Sequence, residues 1–224
     1  MKQTYALHHI KDKSKTKNNV YIIVDHQTKK AAVIDPATSL DEINALIKHL
    51  DLTLDTILIT HVHQDHIGSV AGLVKRHNCN VYLSEKEASY YHYHCKNMHL
   101  FQDQECIQLG DTTIKCLLTP GHTAGSACFL LQQSLFSGDT IFMEGCGICI
   151  SDGASAVDMF YSVEKVKQQV ADSVLVYSGH TYLEDPGKSM AYLKKNNIYF
   201  NIDDQDFFVE FRMREGQENL YNFR

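Results

Sequence analysis

The hexapeptide His61-Val62-His63-Gln64-Asp65-His66 places four metal-type donors within six residues. Histidines at i and i+2 on a loop after a strand can converge on one ion, while the adjacent Asp65 and His66 turn toward a second ion one coordination sphere away. Three further segments, Pro120-Gly121-His122-Thr123, Ser137-Gly138-Asp139-Thr140 and Ser178-Gly179-His180-Thr181, each set such a donor beside glycine at the end of an apolar run. Glycine allows a sharp turn and a close approach there, and loops at the carboxyl ends of strands gather residues that are distant in sequence. Imidazole and carboxylate donors suit zinc, and they suit iron as well.

These donors need strands to carry them. Val20 to Asp25 and Ala31 to Asp35 are β-branched, apolar runs separated by the polar segment 26–30, which predicts a hairpin ended by Pro36. Ser39 and Glu42 have capping-box spacing, and Ile43, Leu46, Ile47 and Leu50 follow at helical intervals. Thr56 to Thr60 is an unbroken run of the kind buried on both faces, and it delivers the chain into the hexapeptide. A helix through Val70, Leu73 and Val74, a strand at Val81 to Leu83, and a second capping box at Ser84 and Glu87 repeat the rhythm. Short strands punctuated by turns fill 107–139, Met159, Val163, Val166 and Val170 mark a helix, and Val174 to Tyr177 returns as a strand. The last 25 or so residues carry no decisive pattern. No linker or repeat interrupts the chain, so residues 1–224 are expected to form one layered α/β domain whose helices cover outward sheet faces.

Composition narrows the functions. The formal charge is −6, which provides no global positive field for a nucleic-acid partner. Neither an apolar leader nor an 18-residue apolar run is visible, which predicts a cytoplasmic chain with no membrane partner. The seven cysteines, scattered from Cys79 to Cys149, read as reduced thiols. The C-terminal Glu218-Asn219-Leu220-Tyr221-Asn222-Phe223-Arg224 partly resembles a protease-site tag but departs from it after Tyr221, and is read as native.

Other tempting groups have plainer readings. His92 and His94 at i and i+2 do not share a face of the helix predicted there, and His99 is treated in the same way. Cys146-x-x-Cys149 lacks the second pair of a zinc ribbon and reads as ordinary thiols. Lys11, Lys13, Lys15 and Lys17 alternate with polar residues as a solvated loop does, with a carrier-protein contact as their one conceivable role.

In order along residues 20 to 182 or so, the His-x-His-x-Asp-His, Pro-Gly-His-Thr, Gly-Asp-Thr and late Gly-His segments resemble the motifs of the metallo-β-lactamase superfamily. Gly138-Asp139-Thr140-Ile141-Phe142 with Gly145-Cys146-Gly147, and Gly179-His180-Thr181-Tyr182, look most like the glyoxalase II (hydroxyacylglutathione hydrolase) branch. The whole chain, including Asn197-Ile198-Tyr199-Phe200 and Phe211-Arg212-Met213-Arg214, is similar to zinc-dependent hydrolases of bacterial polyketide (antibiotic) biosynthesis. The resemblance implies a four-layer αββα sandwich and two zinc ions per chain. It assigns His61, His63 and His122 to one ion and Asp65, His66 and His180 to the other, with Asp139 bridging; Asp65 is also the catalytic residue and Tyr182 contacts substrate. A water shared by two zinc ions ionises near neutrality and supplies hydroxide, while one ion polarises the substrate carbonyl.

A thioester is the substrate that the glyoxalase II resemblance implies, and the chemistry is compatible with it, since a thiolate with a conjugate-acid pKa near ~8.5 leaves without a strong general acid. The sequence departs from glyoxalase II where Ile148-Cys149-Ile150-Ser151 replace basic and aromatic residues, and the long C-terminal helical domain is missing. That points away from glutathione toward the phosphopantetheine of an acyl carrier protein or coenzyme A. The main alternative is a persulfide dioxygenase, which shares the donor pattern but uses one iron. A non-catalytic module would carry a broken ligand set, and none of the seven positions is broken.

Overall fold

The computed structural model describes residues 3–11 and 17–216; Lys13, Lys15 and the tag-like 218–224 segment lie outside the described residues. Twelve strands form two six-stranded sheets. The first runs in spatial order β1 (Tyr5–Lys11), β2 (Asn19–Asp25), β3 (Lys30–Ile34), β4 (Thr53–Leu58), β5 (Asn80–Ser84) and β6 (Met98–Phe101). The second has β12 (Lys188–Ser189), β11 (Leu175–Ser178), β10 (Ser134–Gly138), β9 (Ala127–Leu130), β8 (Thr112–Leu118) and β7 (Cys106–Leu109). The β2–β3 pair is the antiparallel hairpin expected from the sequence, while β3 to β6 pair in parallel through helical crossovers.

The period-two alternation of strands divides the buried residues between layers. Tyr21, Ile23, Ala32 and Ile34 face Ile114, Cys116, Phe129 and Phe136 between the sheets. Their sequence neighbours Val20, Ile22, Ala31 and Val33 pack outward against α1 (Leu40–His49) and α3 (Val70–His77) through Ile43, Ile47, Val70 and Leu73. On the far side, Leu135 and Val176 meet Met159, Val163 and Val166 of α5 (Ala156–Gln169), Met190 and Leu193 of α6 (Met190–Asn196), and Phe208 of α7 (Gln205–Met213). The layers are therefore helix, sheet, sheet, helix. Among the described residues no helix is long and apolar enough to cross a membrane.

Several elements differ from the sequence reading. The sequence of β1, Tyr5-Ala6-Leu7-His8-His9-Ile10-Lys11, lacks the clean alternation of a strand; pairing along the whole of β2 holds it. The helix α4 (Glu85–Tyr91) stops at His92, which adopts φ 52°, so His94 lies beyond it and the helical-face argument against those histidines does not apply. His92, His94 and His99 still join no metal-type donor group among the described residues. The undecided C-terminus becomes a 3-10 turn over Ile198–Asn201 followed by α7, buried through Tyr199, Phe200 and Phe208.

Candidate metal centre

All of the donor loops leave the carboxyl ends of strands at one end of the sandwich, His61 after β4, His122 after β8, Asp139 after β10 and His180 after β11. The hexapeptide turns through the short helix α2 (Gln64–Ile67), so that His61 and His63 point one way and Asp65 and His66 another. Three overlapping donor groups result, His61, His63 and His122 in one, Asp65, His66 and His180 in a second, and Asp35, His61 and His66 in a third, with donor atoms within 4.8 Å of one another in each.

His63 Nδ1 lies 3.1 Å from His61 Nε2 and 3.0 Å from His122 Nε2, and His66 Nε2 lies 3.2 Å from His180 Nε2. Zinc–nitrogen bonds of ~2.0–2.1 Å place neighbouring ligands of a tetrahedral ion about 3.3 Å apart, a spacing these ring nitrogens match. Asp139 lies between the groups: Oδ1 is 3.5 Å from His66 Nε2, and Oδ2 is 3.2 Å from His180 Nε2 and 3.6 Å from His122 Nε2. Its buried Oδ1 accepts no hydrogen bond, a costly condition for a carboxylate oxygen that a cation would relieve. The residues therefore fit bound metal.

Electrostatics agree with that fit. Burial pushes His61 well below the ordinary imidazole range and His122 down to about 4, which leaves both neutral as ligands must be. Burial alone would raise Asp139, but His180, His66 and His61 around it hold it well below the usual carboxylate range. Burial would also lower His66, yet the carboxylates of Asp139, Asp35 and Asp65 outweigh it and raise the ring to about 9.

Three residues that the sequence reading did not connect with the site support it. Asp35, at φ 45° just past β3, accepts from Thr60 N (2.8 Å) and Thr60 Oγ1 (2.6 Å) and lies 3.0 Å from His66 Nδ1, so it orients the hexapeptide's last histidine. Buried Asn18 donates Nδ2 to the backbone oxygen (3.0 Å) and Oδ2 (3.3 Å) of Asp65. Glu87, read only as a capping residue, bonds instead to both loops of the three-histidine group. The hint available for Asp35 was its place at the end of an apolar strand beside Pro36; nothing local marked Asn18.

A cleft of about 140 Å³ opens onto the centre, lined by His63, Asp65, His122, Asp139, Phe142, Gly147, Ile148, His180 and Tyr182. Tyr182 stands edge-on to Phe142, with ring centroids 5.0 Å apart. Cys146 and Cys149 are buried free thiols behind this wall, as their sequence context suggested. Lys11 ends β1 and pairs with Asp185 at 2.5 Å, which uses one of the lysines taken as a solvated run.

A family model described as the metallo-beta-lactamase superfamily matches residues 15–180. The chain belongs to that superfamily. It is 43% identical over 225 residues, covering all of both chains, to the "Probable polyketide biosynthesis zinc-dependent hydrolase PksB" of Bacillus subtilis. It is 27% identical to a "Probable hydroxyacylglutathione hydrolase" of Schizosaccharomyces pombe, over 92% of this chain and 81% of that one. Among solved structures, ETHE1 from Myxococcus xanthus superposes with a TM-score of 0.84 at 29% identity, over 92% of this chain and 89% of that one. The superfamily's αββα sandwich is the architecture described above.

Proposed function

We propose that this chain is one zinc-dependent hydrolase domain that cleaves acyl thioesters in the cytoplasm during polyketide biosynthesis. In this reading His61, His63 and His122 hold one zinc, Asp65, His66 and His180 a second, and Asp139 bridges them. The observation that carries it is the cleft: its carboxylates are Asp65, a member of one donor group, and Asp139, which lies between the groups, and no Lys or Arg is among its described lining residues. A leaving amine would need a dedicated acid, whereas a thiolate leaves unaided. Glutathione carries two carboxylates that a cation should meet, so the uncharged wall of Phe142, Ile148 and Tyr182 favours the phosphopantetheine arm of an acyl carrier protein or coenzyme A. The names of the polyketide hydrolase and hydroxyacylglutathione hydrolase relatives support the same class. The seven free cysteines fit a reducing compartment.

A bound zinc pair supplies Lewis acidity, which lowers the pKa of water toward neutrality and polarises a carbonyl. The protein's own part is orientation. Asn18 steadies Asp65, whose side chain is 40% exposed at the cleft and takes the proton given up by the attacking water. Tyr182 and Phe142 hold the acyl thioester against the centre.

The test is a panel of acyl-carrier-protein, acyl-CoA and acyl-glutathione esters with zinc-loaded protein. Hydrolysis favouring a pantetheine thioester is expected. A clear preference for the glutathione ester would overturn the carrier assignment, and a two-zinc protein inert toward every thioester would overturn the reaction class. The one-iron oxidase reading is separated by metal analysis of protein purified without added metal: one iron per chain would replace the hydrolase reading.

A further inference from the structure

Ser84 and Glu87 have the spacing of a reciprocal helix cap, in which the glutamate would fold back to the start of its own helix. Half of that cap forms, with Glu87 N donating to Ser84 Oγ at 3.0 Å. The Glu87 side chain instead leaves the helix and is completely buried. No cation pairs with it among the described residues, and burying an isolated carboxylate is costly unless donors surround it. Three do. Oε1 accepts from Val62 N at 3.0 Å, and Oε2 accepts from Gly125 N at 2.8 Å and Thr123 Oγ1 at 2.9 Å.

Val62 lies between His61 and His63, and Thr123 follows His122. One carboxylate therefore joins the loop after β4 of one sheet to the loop after β8 of the other, and these two loops carry all three histidines of one donor group. The approach is tight: a Cβ on Gly125 would come within 2.1 Å of Glu87 N, and Ser84 Oγ donates to Gly125 O at 2.6 Å. The Asp65, His66 and His180 group is supported by Asp35 and Asn18, and Glu87 bonds to none of its members.

We propose that Glu87 is the positioning residue of the three-histidine group, selectively setting its metal affinity by fixing the spacing of its two loops across the sheets. The inference rests on the two-ion reading above. Glutamine cannot substitute, because its amide presents one acceptor and one donor, so either Val62 N–H or Gly125 N–H would face another N–H. Partners of this kind, one bond removed from the ligands, typically change metal affinity by about 10–100-fold.

The experiment is zinc competition against a chromophoric chelator on full-length wild type, Glu87→Gln and Thr123→Val. His63→Ala identifies which equivalent belongs to the three-histidine group, and circular dichroism of each metal-free protein reports folding. Wild type is expected to hold two equivalents. Glu87→Gln should weaken only the His63-dependent one, by about 10–100-fold. Thr123→Val, which removes one of the three donors but keeps the carboxylate and both backbone donors, should weaken the same equivalent by a few-fold and keeps the test decisive if Glu87→Gln does not fold. Wild-type affinity for both equivalents in a folded variant, or equal loss at both, overturns the role of Glu87. A wild type that leaves the three-histidine group without metal overturns the two-ion reading and this inference together.

Discussion

The smallest change that should disable the centre is a single methyl group at Gly179. A Cβ built there would lie 2.4 Å from Asp139 Oδ1 and 2.8 Å from His66 Cε1, roughly 1 Å inside ordinary non-bonded contact. Neither side yields easily. Gly179 N donates to Gly138 O at 2.8 Å, and its oxygen accepts from Asn19 N at 2.7 Å, which pins the backbone. Asp139 cannot swing away without leaving His180 and His122, which Oδ2 approaches at 3.2 and 3.6 Å. The displacement must therefore appear in the Asp139 carboxylate, and a misplacement of about 1 Å at a reacting centre costs about 10²-fold in rate. Gly179→Ala should keep the fold, lose zinc on dialysis and hydrolyse thioesters about 10²-fold more slowly. Gly68→Ala is the control, since its Cβ would meet nothing closer than 3.8 Å. Zinc content by mass spectrometry and thioester turnover, measured side by side, decide the matter. Gly179→Ala with wild-type zinc and turnover would refute the close-approach argument.

His61→Ala and Asp139→Ala should each abolish thioester turnover, whereas His94→Ala, outside every donor group, should stay near wild type; full activity in either of the first two would overturn the site. Metal binding should release a proton near neutral pH, because His66 is raised to about 9 while His61 and His122 are already neutral. The apparent affinity should then rise with pH up to about 9 by up to tenfold per unit, and calorimetry in buffers of different ionisation enthalpy would refute this by finding no proton release. In the metal-free protein, the folded-state His66 pKa above its unfolded value contributes stability that is complete below about 6.5 and lost as pH rises through about 9. Glu144 Oε1 accepts from Leu183 N (2.9 Å) and Glu184 N (2.5 Å), which ties the Phe142 wall of the cleft to the Tyr182 wall. Glu144→Ala should raise KM for the acyl thioester about tenfold with zinc content unchanged; loss of zinc with unaltered KM would contradict that role.

What the sequence determined by itself is local chemistry and its rhythm. The hexapeptide, the three glycine-flanked donors and the strand-to-helix alternation are each written within a few residues, and together they marked seven candidate donor positions and implied the layered fold. Helix starts were legible for the same reason, since Ser39 and Ser84 accept from Glu42 N and Glu87 N as their spacing implied. The tertiary structure decided what those side chains do once distant segments meet. Glu42 accepts from Thr38 Oγ1 and Glu87 crosses to the metal loops, although both have the same capping spacing. Asp35, a strand-end residue in sequence, becomes the partner of His66 because β3 and β4 lie in parallel with their carboxyl ends side by side. Asn18 reaches Asp65 because the start of β2 bridges to His180 across 162 positions of chain. Hydrogen bonds to a buried carboxylate depend on which loops share its cavity, and no spacing rule along one chain segment encodes that.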